Sequence, residues 1–450
     1  MKIPVSPPAF GSLFNSVIES GASQALEIFN SFGPVDDKER YLHWDKIRHL
    51  EAPEGFTNEQ WWAGIKFSRR KIYQSTPFQD KHSRNFNFCV PGPLQKELHW
   101  LDMHTAGTIA AQEPIANKHM KTTYLIKSLI EESISSSQLE GAVTTKDVAK
   151  EMIRQGREPK DKSEKMILNN YYAMQFIHDF KNEKLTPSMV LELHKILTEK
   201  TLEDPNKAGQ FRQVEDDIHV VDEIGQVLHT PPNAEELPER LEMICAFANG
   251  ELDETFVHPV VRAIILHFMI GYDHPFVDGN GRTARAVFYW SMSNANYWLM
   301  EFISISRIIK NAPSQYGKAY LNTETDENDL TYFIIHQIDV IEKAIKDLQI
   351  YLEEKMKGVE YAEELLEKND KLRGRLNFRQ LALIRHAIKH PRFIYKIKEH
   401  QNSHGISYET ARSDLLQLSD KLKLLDKLKA GRSIVFAAPP ELEDKLRDSS

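Results

Sequence analysis

The chain has 450 residues with 41% apolar and 27% charged side chains, a globular composition that excludes extensive disorder and leaves room for two or three domains. Its net charge of −8 is uneven: residues 371–450 hold 17 Lys plus Arg against 9 Asp plus Glu, so that segment carries +8 and the first 370 residues −16, which argues against nucleic acid on the acidic part. The longest apolar stretch, Val260 to Ile270, is broken by Arg262 and His267 and falls short of the ~20 residues of a membrane span, so no membrane partner is expected.

The opening MKIPVSPPAFGSLF has no basic start followed by an apolar run, so no secretory signal is read and a cytoplasmic location is expected. Residues 1–96 mix helical stretches with Pro and aromatic-rich segments such as Trp44 to Trp62, and a packed helical extension is expected there. Cys89 and Cys245 match neither a disulfide framework nor a metal or redox pattern and are assigned no function. From about Glu97 apolar residues recur at helical spacing: Leu98, Leu101 and Met103, then Tyr124, Leu125, Leu129, Ile130 and Ile134. Helices are expected to dominate residues 97–357. Within them, Ile218 to His229 alternates apolar and polar positions around a turn near Gly225, which reads as a β-hairpin stopped by Pro231 and Pro232. Ile334, Ile338, Ile341, Ile345, Leu348, Leu352 and Met356 form a helical stripe of six turns. A charged linker is expected over 358–375. In residues 376–450, Phe378 to His390, Ile394 to Gln401 and Ser407 to Leu418 read as three short helices, followed by a strand-turn-strand wing from Leu424 to Phe436.

The chemistry is concentrated in residues 274–285, HPFVDGNGRTAR. A helix opens near His258-Pro259, where Pro suits a first turn, and Pro275 forces the chain out of it. A Gly-Asn-Gly turn then leads into a new helix at about Arg282. The first N–H groups of a helix lack intrahelical partners, and glycines let them form a concave nest for phosphate. Arg282 and Arg285, three apart, are expected on one helix face, adding charge-assisted hydrogen bonds. His274, with an ordinary pKa near ~6.5, suits a base that takes a hydroxyl proton. Asp278 suits a Mg²⁺ that keeps its waters and bridges phosphate oxygens. Singly, each residue has a bland reading: a helix-end histidine, a turn aspartate, solvated arginines. The contiguous block does not, and it is neither a Walker sequence nor a G-x-G-x-x-G.

This block resembles the signature of the Fic family, H-P-F-x-[D/E]-G-N-[G/K]-R-x-x-R, at every fixed position, and the resemblance extends over roughly Thr122 to Ile335. It implies an all-α Fic helical bundle and transfer of AMP from ATP to a Ser, Thr or Tyr hydroxyl of a protein target, the chain itself included, with release of pyrophosphate. By motif position it implies His274 as base, Asp278 as Mg²⁺ ligand, and Gly279, Asn280, Gly281 and Arg282 as phosphate cradle, with Arg285 on the γ-phosphate. The hairpin resembles the family's flap, so Ile218, His219, Val220 and Val221 are expected to dock a target segment by strand addition. Tyr316 is a candidate adenine contact, although the family's adjacent tyrosine pair is incomplete here. Gly209 and Arg212 are expected to shape the loop before the hairpin. Asp273, where members commonly carry an apolar residue, is expected to point to solvent.

Upstream, Ser136-Ser137-Gln138-Leu139-Glu140-Gly141 resembles the family's inhibitory motif [S/T]-x-x-x-E-[G/N], placed at the end of a helix over about 122–141. It implies that Glu140 pairs with Arg285 and denies that guanidinium to the γ-phosphate, with Ser136 and Gly141 as the other motif residues. The basic C-terminal module resembles a winged helix-turn-helix, which implies DNA contact through Ser407, Tyr408, Thr410 and Arg412, with Arg432 at the wing tip. A homodimer is a further arrangement open to the chain. Two other functions share these residues: removal of AMP with Glu140 as base, and a DNA-binding regulator whose core senses nucleotide.

Overall fold

A computed structural model describes residues 1–106, 118–367, 374–430 and 433–447, the side chains of 118–123, 355–373, 430 and 447 excepted. Local sequence sets many of its boundaries. The N-terminal region holds helices α1 (Phe10–Glu19), α2 (Ala22–Ser31), α3 (Trp44–Ile47) and α4 (Asn58–Arg70). Helix α4 opens on a reciprocal capping box between Thr57 and Gln60. This region is not wholly helical: strands β1 (Gln74–Gln79) and β2 (Asn85–Phe88) form an antiparallel hairpin. Its alternation is visible in the burial of Thr76, Phe78, Phe86 and Phe88 between more exposed neighbours.

The helical body follows: α5 (Gly92–Thr105), α6 (Lys118–Leu139), α7 (Lys146–Gln155), α8 (Lys162–Phe180) and α9 (Pro187–Thr198), then strands β3 (Val220–Val221) and β4 (Val227–His229), and α10 (Leu237–Ala248). The chain continues through α11 (Pro259–Asp273), α12 (Asn280–Asn294), α13 (Ile305–Asn311), α14 (Pro313–Thr325) and α15 (Thr331–Glu367). Pro187, Pro259 and Pro313 each sit at a helix start, where the missing N–H costs nothing. Helix α11 is buried nearly all round, from Val260 to Tyr272, as an apolar helix at the centre of a bundle must be. It packs along α12, and both belong to the main core with Phe276, Phe288, Phe333 and Ile338. Helix α15 is the expected strut, but it runs to Glu367 and so absorbs the first ten residues of the expected linker. Residues 368–373 of that linker lie outside the described residues.

The C-terminal module comprises α16 (Phe378–Lys389), β5 (Ile394–Lys396), α17 (Ile397–His404), α18 (Tyr408–Leu416), β6 (Asp426–Ala430), β7 (Ser433–Ala437) and α19 (Leu442–Arg447). Ile394 opens a strand rather than a helix. Its backbone completes a three-stranded antiparallel sheet in the order β5-β7-β6, and the helix begins only at Ile397. The module has its own core of Ile384, Ala387, Leu415, Leu418 and Phe436. Gly431 and Arg432, the expected wing tip, lie outside the described residues. Among the described residues no helix is long and apolar enough to cross a membrane.

Candidate functional site

The loop between α11 and α12 is shaped by its own sequence. His274 caps α11 in the left-handed region at φ 46°, and Gly279 at φ 85° turns the chain into α12. A Cβ on Gly279 would lie 2.9 Å from Thr198 Cγ2, so the turn needs glycine for space as well as conformation. Between them Asn280 works as a staple: its Oδ1 accepts from the Phe276 N–H at 2.9 Å and its Nδ2 donates to the Phe276 carbonyl at 2.7 Å. The Asn280 side chain is therefore spent on the loop, and only its backbone is left for the nest at the start of α12.

Two residues outside the motif hold this loop from below. His194 on α9 is fully buried, stacks on Phe276 with ring centres 3.7 Å apart, and lies 2.9 Å from both the Asp278 carbonyl and the Gly209 N–H. Those partners make its Nε2 the donor and its Nδ1 the acceptor. Burial pushes its pKa down to about 4, which keeps the ring neutral. Sequence reasoning missed His194, because a histidine on a mainly apolar helix face carries no signal of its distant partners. Arg212 shapes its loop as expected and does more. Its N–H meets the Pro275 carbonyl at 2.9 Å and its guanidinium donates to the carbonyls of His274 at 2.8 Å and Pro232 at 2.6 Å.

His274 is half-buried, with Nδ1 3.2 Å from the Gly271 carbonyl. A carbonyl only accepts, so Nδ1 carries the proton and Nε2 keeps a lone pair for a substrate hydroxyl. Burial is the main influence on the ring and pushes its pKa down to about 4; the Gly271 carbonyl and Glu140 oppose this, while His229 and Arg212 add to it. Asp273 does not point to solvent. It is 2% exposed and paired with Arg240 at 2.7 Å, because Arg240 of α10 supplies the charge that lets a carboxylate occupy an apolar position. Burial nevertheless raises its carboxyl above the usual range, with Arg240 opposing.

The two motif arginines diverge. Arg282 turns back toward α9, donating to the Leu197 carbonyl at 2.9 Å and reaching Asp278 Oδ1 at 3.5 Å. A carbonyl near the end of α9 lacks an intrahelical partner, which is why it draws the guanidinium away from the expected shared face. The Arg282 Nε is buried with no acceptor among the described residues. Asp278 takes the Gly279 N–H on Oδ1, and its side chain is 49% exposed. A single accessible carboxylate beside a phosphate nest suits Mg²⁺, which binds one or two carboxylates and keeps its waters. Among the described residues no group of three His, Cys, Asp or Glu forms a metal cage.

Arg285 turns the other way. Its Nε donates to Ser136 Oγ at 3.0 Å, and Nη2 reaches the Ser136 carbonyl at 3.2 Å and Glu140 Oε1 at 2.8 Å. The end of α6 sets the direction of the Glu140 arm of this contact. The N–H of Ala142 bonds the Ser137 carbonyl and that of Gly141 bonds the Gln138 carbonyl, a Schellman closure that requires Gly141 at φ 92°. Glu140 is thereby the capping residue, with its backbone direction set. Opposite it, a Cβ on Gly281 would stand 2.2 Å from Glu140 Oε1, so a side chain at position 281 would make the carboxylate shift.

Glu140, His274 and Arg285 line one cavity of about 300 Å³ with Tyr316, Tyr320, Leu228 and His229. Tyr316 is half-buried, its hydroxyl 2.9 Å from His267 Nε2 and 3.4 Å from the Tyr320 hydroxyl. Tyr320 lies one helical turn on from Tyr316 along α14. The flap hairpin forms as expected, but only Val220 and Val221 of the four named residues are strand; Ile218 and His219 precede it. His229 ties β4 to the body through Glu324 and the Tyr272 carbonyl, both at 2.7 Å.

Residues 184–292 match the Fic/DOC family. The protein adenylyltransferase Fic of Drosophila melanogaster is 32% identical over 133 residues, 29% of this chain and 25% of that protein. The protein of the same name from Nematostella vectensis is 26% identical over 185 residues, 40% and 39% of the two chains. The chain spans about a quarter of the length of the Drosophila relatives it matches. A crystal structure of a Fic family protein from Desulfovibrio desulfuricans G20 covers 77% of this chain and 94% of its own, with TM-score 0.48 and 16% identity.

Proposed function

We propose that this chain, which carries a Fic/DOC segment at residues 184–292, is a protein adenylyltransferase that moves AMP from ATP to a Ser, Thr or Tyr hydroxyl and is restrained by Glu140. One observation carries the reading: the base, the phosphate arginine and the restraining carboxylate all line the same cavity. The target oxygen attacks the α-phosphorus while its proton passes to His274 Nε2. The bond from that phosphorus to the bridging oxygen breaks, and pyrophosphate leaves with the electron pair. The amides opening α12 and the Arg285 guanidinium hold the polyphosphate; Asp278 would hold Mg²⁺, which offsets phosphate charge. The β3 edge presents the target segment by strand addition.

While Glu140 holds Arg285, ATP lacks its γ-phosphate partner and sits unproductively. A charge-assisted hydrogen bond is worth roughly 1.5 to 3 kcal/mol, so freeing Arg285 should raise transfer about ten- to 150-fold. Incubation of wild type, Glu140→Gly and Glu140→Gly/His274→Ala with ATP labelled on the α- or the γ-phosphate tests this. Label from the α-phosphate only, strong with Glu140→Gly and lost in the double variant, is expected. γ-label would mean phosphoryl transfer, and no rise with Glu140→Gly would remove the restraint from the proposal. Because Glu140 faces the same cavity as His274, AMP removal is a second reading, and free AMP released from AMPylated protein would reveal it.

For residues 376–447 the order helix, strand, two helices and two strands supports a winged helix. Ser407 and Thr410 are hydrogen-bonded to each other at the start of α18, while Tyr408 and Arg412 are exposed there as candidates for DNA.

A further inference from the structure

Glu132 lies two turns before Glu140 on α6, on the same helix face as Ser136 and Glu140. Its carboxylate is 2% exposed, and its hydrogen-bond donors among the described residues are neutral: the Tyr289 hydroxyl at 3.0 Å, Ser304 Oγ at 2.7 Å, the Ser306 N–H at 3.2 Å and Ser306 Oγ, with the Arg285 guanidinium close enough to act on it through charge. Tyr289 stands one turn after Arg285 on α12. Helices α6 and α12 are therefore joined by two polar rungs, Ser136 and Glu140 to Arg285, and Glu132 to Tyr289. The apolar contacts of α6 around Ile130 and Ile134 bind it to Ala149, Met152 and Ile153 of α7 and to Met166 and Ile167 of α8. Those contacts fix α6 within its own hairpin of helices. Leu129 and Leu139 also pack on the main core that contains α12, so the polar rungs add a directional register to a seat that apolar contacts begin.

We infer that Glu132 is the positioning residue of the restraint: its buried carboxylate clamps α6 to α12 and to the 304–306 segment, and so places Glu140 on Arg285. The inference rests on the restrained-transferase reading above. A buried carboxylate met by four donors holds one geometry firmly, whereas the Glu140 side chain is 27% exposed and would swing with the helix end. Cutting the Glu132 rung should loosen the restraint without touching the base or the nest.

The test measures α-phosphate label in wild type, Glu132→Gln, Glu132→Ala, Glu140→Gly and Glu132→Ala/Glu140→Gly. Glu132→Ala should label roughly tenfold above wild type, and Glu132→Gln less, because its amide oxygen still accepts. The double variant should match Glu140→Gly within about twofold, since a removed restraint cannot be removed again. A purely structural role would instead lower label by one factor in both backgrounds, and that result overturns the inference. So does a Glu132→Ala protein that melts cooperatively yet labels at the wild-type level. If Glu132→Ala fails to fold, Ser306→Ala, which deletes one donor, should move label in the same direction. Should Glu140→Gly itself stay unlabelled, the transferase reading falls, and amide exchange decides the clamp separately. Residues 134–141 should exchange about tenfold faster in Glu132→Ala with α11 unchanged; equal rates overturn it.

Discussion

His274 meets the conditions for a base by two separate routes. Its place after a helix and before a proline is plain in the sequence, but its protonation is a tertiary matter: the Gly271 carbonyl selects the tautomer and burial depresses the pKa to about 4. A base with that pKa is already neutral throughout the physiological range, so acidification costs activity only near its own pKa. In Glu140→Gly the carboxylate that raises the pKa is gone, which moves the limb no higher. The rate of α-phosphate labelling by Glu140→Gly should then stay level from about pH 8 to pH 5 and fall below that. A midpoint near ~6.5 would show an ordinary, solvated imidazole instead. Asp273 teaches the complementary lesson. Its place beside the motif suggested a solvated side chain, yet its charge is spent on Arg240, thirty-three positions away.

At the scale of elements, α11 and α14 approach closely beside the site. A Cβ on Gly271 would stand 2.3 Å from the Tyr320 hydroxyl, so α14 is seated against α11 on a glycine. Gly271→Ala is expected to cost about 1–3 kcal/mol by overpacking and to push Tyr320 and Tyr316 into the nucleotide cavity. The melting temperature should drop and ATP affinity weaken together; a lowered melting temperature with unaltered ATP binding would mean that the tyrosines do not border the nucleotide. Helix periodicity predicted the long helix α15, and period-two alternation around Gly225 predicted the β3–β4 hairpin. It failed at β1 and β2, which were read as helical extension because Pro and aromatic residues blurred a short alternation, and at Ile394, whose strand exists only because β7 pairs with it.

For the molecule as a whole, the N-terminal region is a built part of the body. Lys66 of α4 is 1% exposed and meets Asp326, fully buried beyond α14, at 2.6 Å. Arg69 donates to the Tyr332 hydroxyl at 2.7 Å, and Tyr41 and Tyr73 converge on Asp329. Removing one partner of a buried pair strands the other, so Lys66→Met should cost roughly 3–5 kcal/mol. Lys66→Met/Asp326→Asn should recover part of that loss in urea unfolding. If the single variant loses less than 1 kcal/mol by the same measurement, the network is not what holds the N-terminal region to the body.

The sequence by itself determined the local chemistry: a loop that must leave the helix at Pro275, glycines that permit the nest, a histidine and a carboxylate beside it, and Gly141 closing the helix that carries Glu140. These follow from the residues because turn, cap and nest geometry depend on neighbours a few positions apart. The tertiary structure alone decided how distant side chains pair. Arg282 turns to Leu197, away from the Arg285 that the motif resemblance had already paired with Glu140; His194 and Arg212 brace the loop; Tyr320 lies beside Tyr316; Glu132 takes its donors from two other elements. A buried polar group must find a partner somewhere, but its identity depends on which helices the packing brings alongside, and that is set by the whole core rather than by any segment of it.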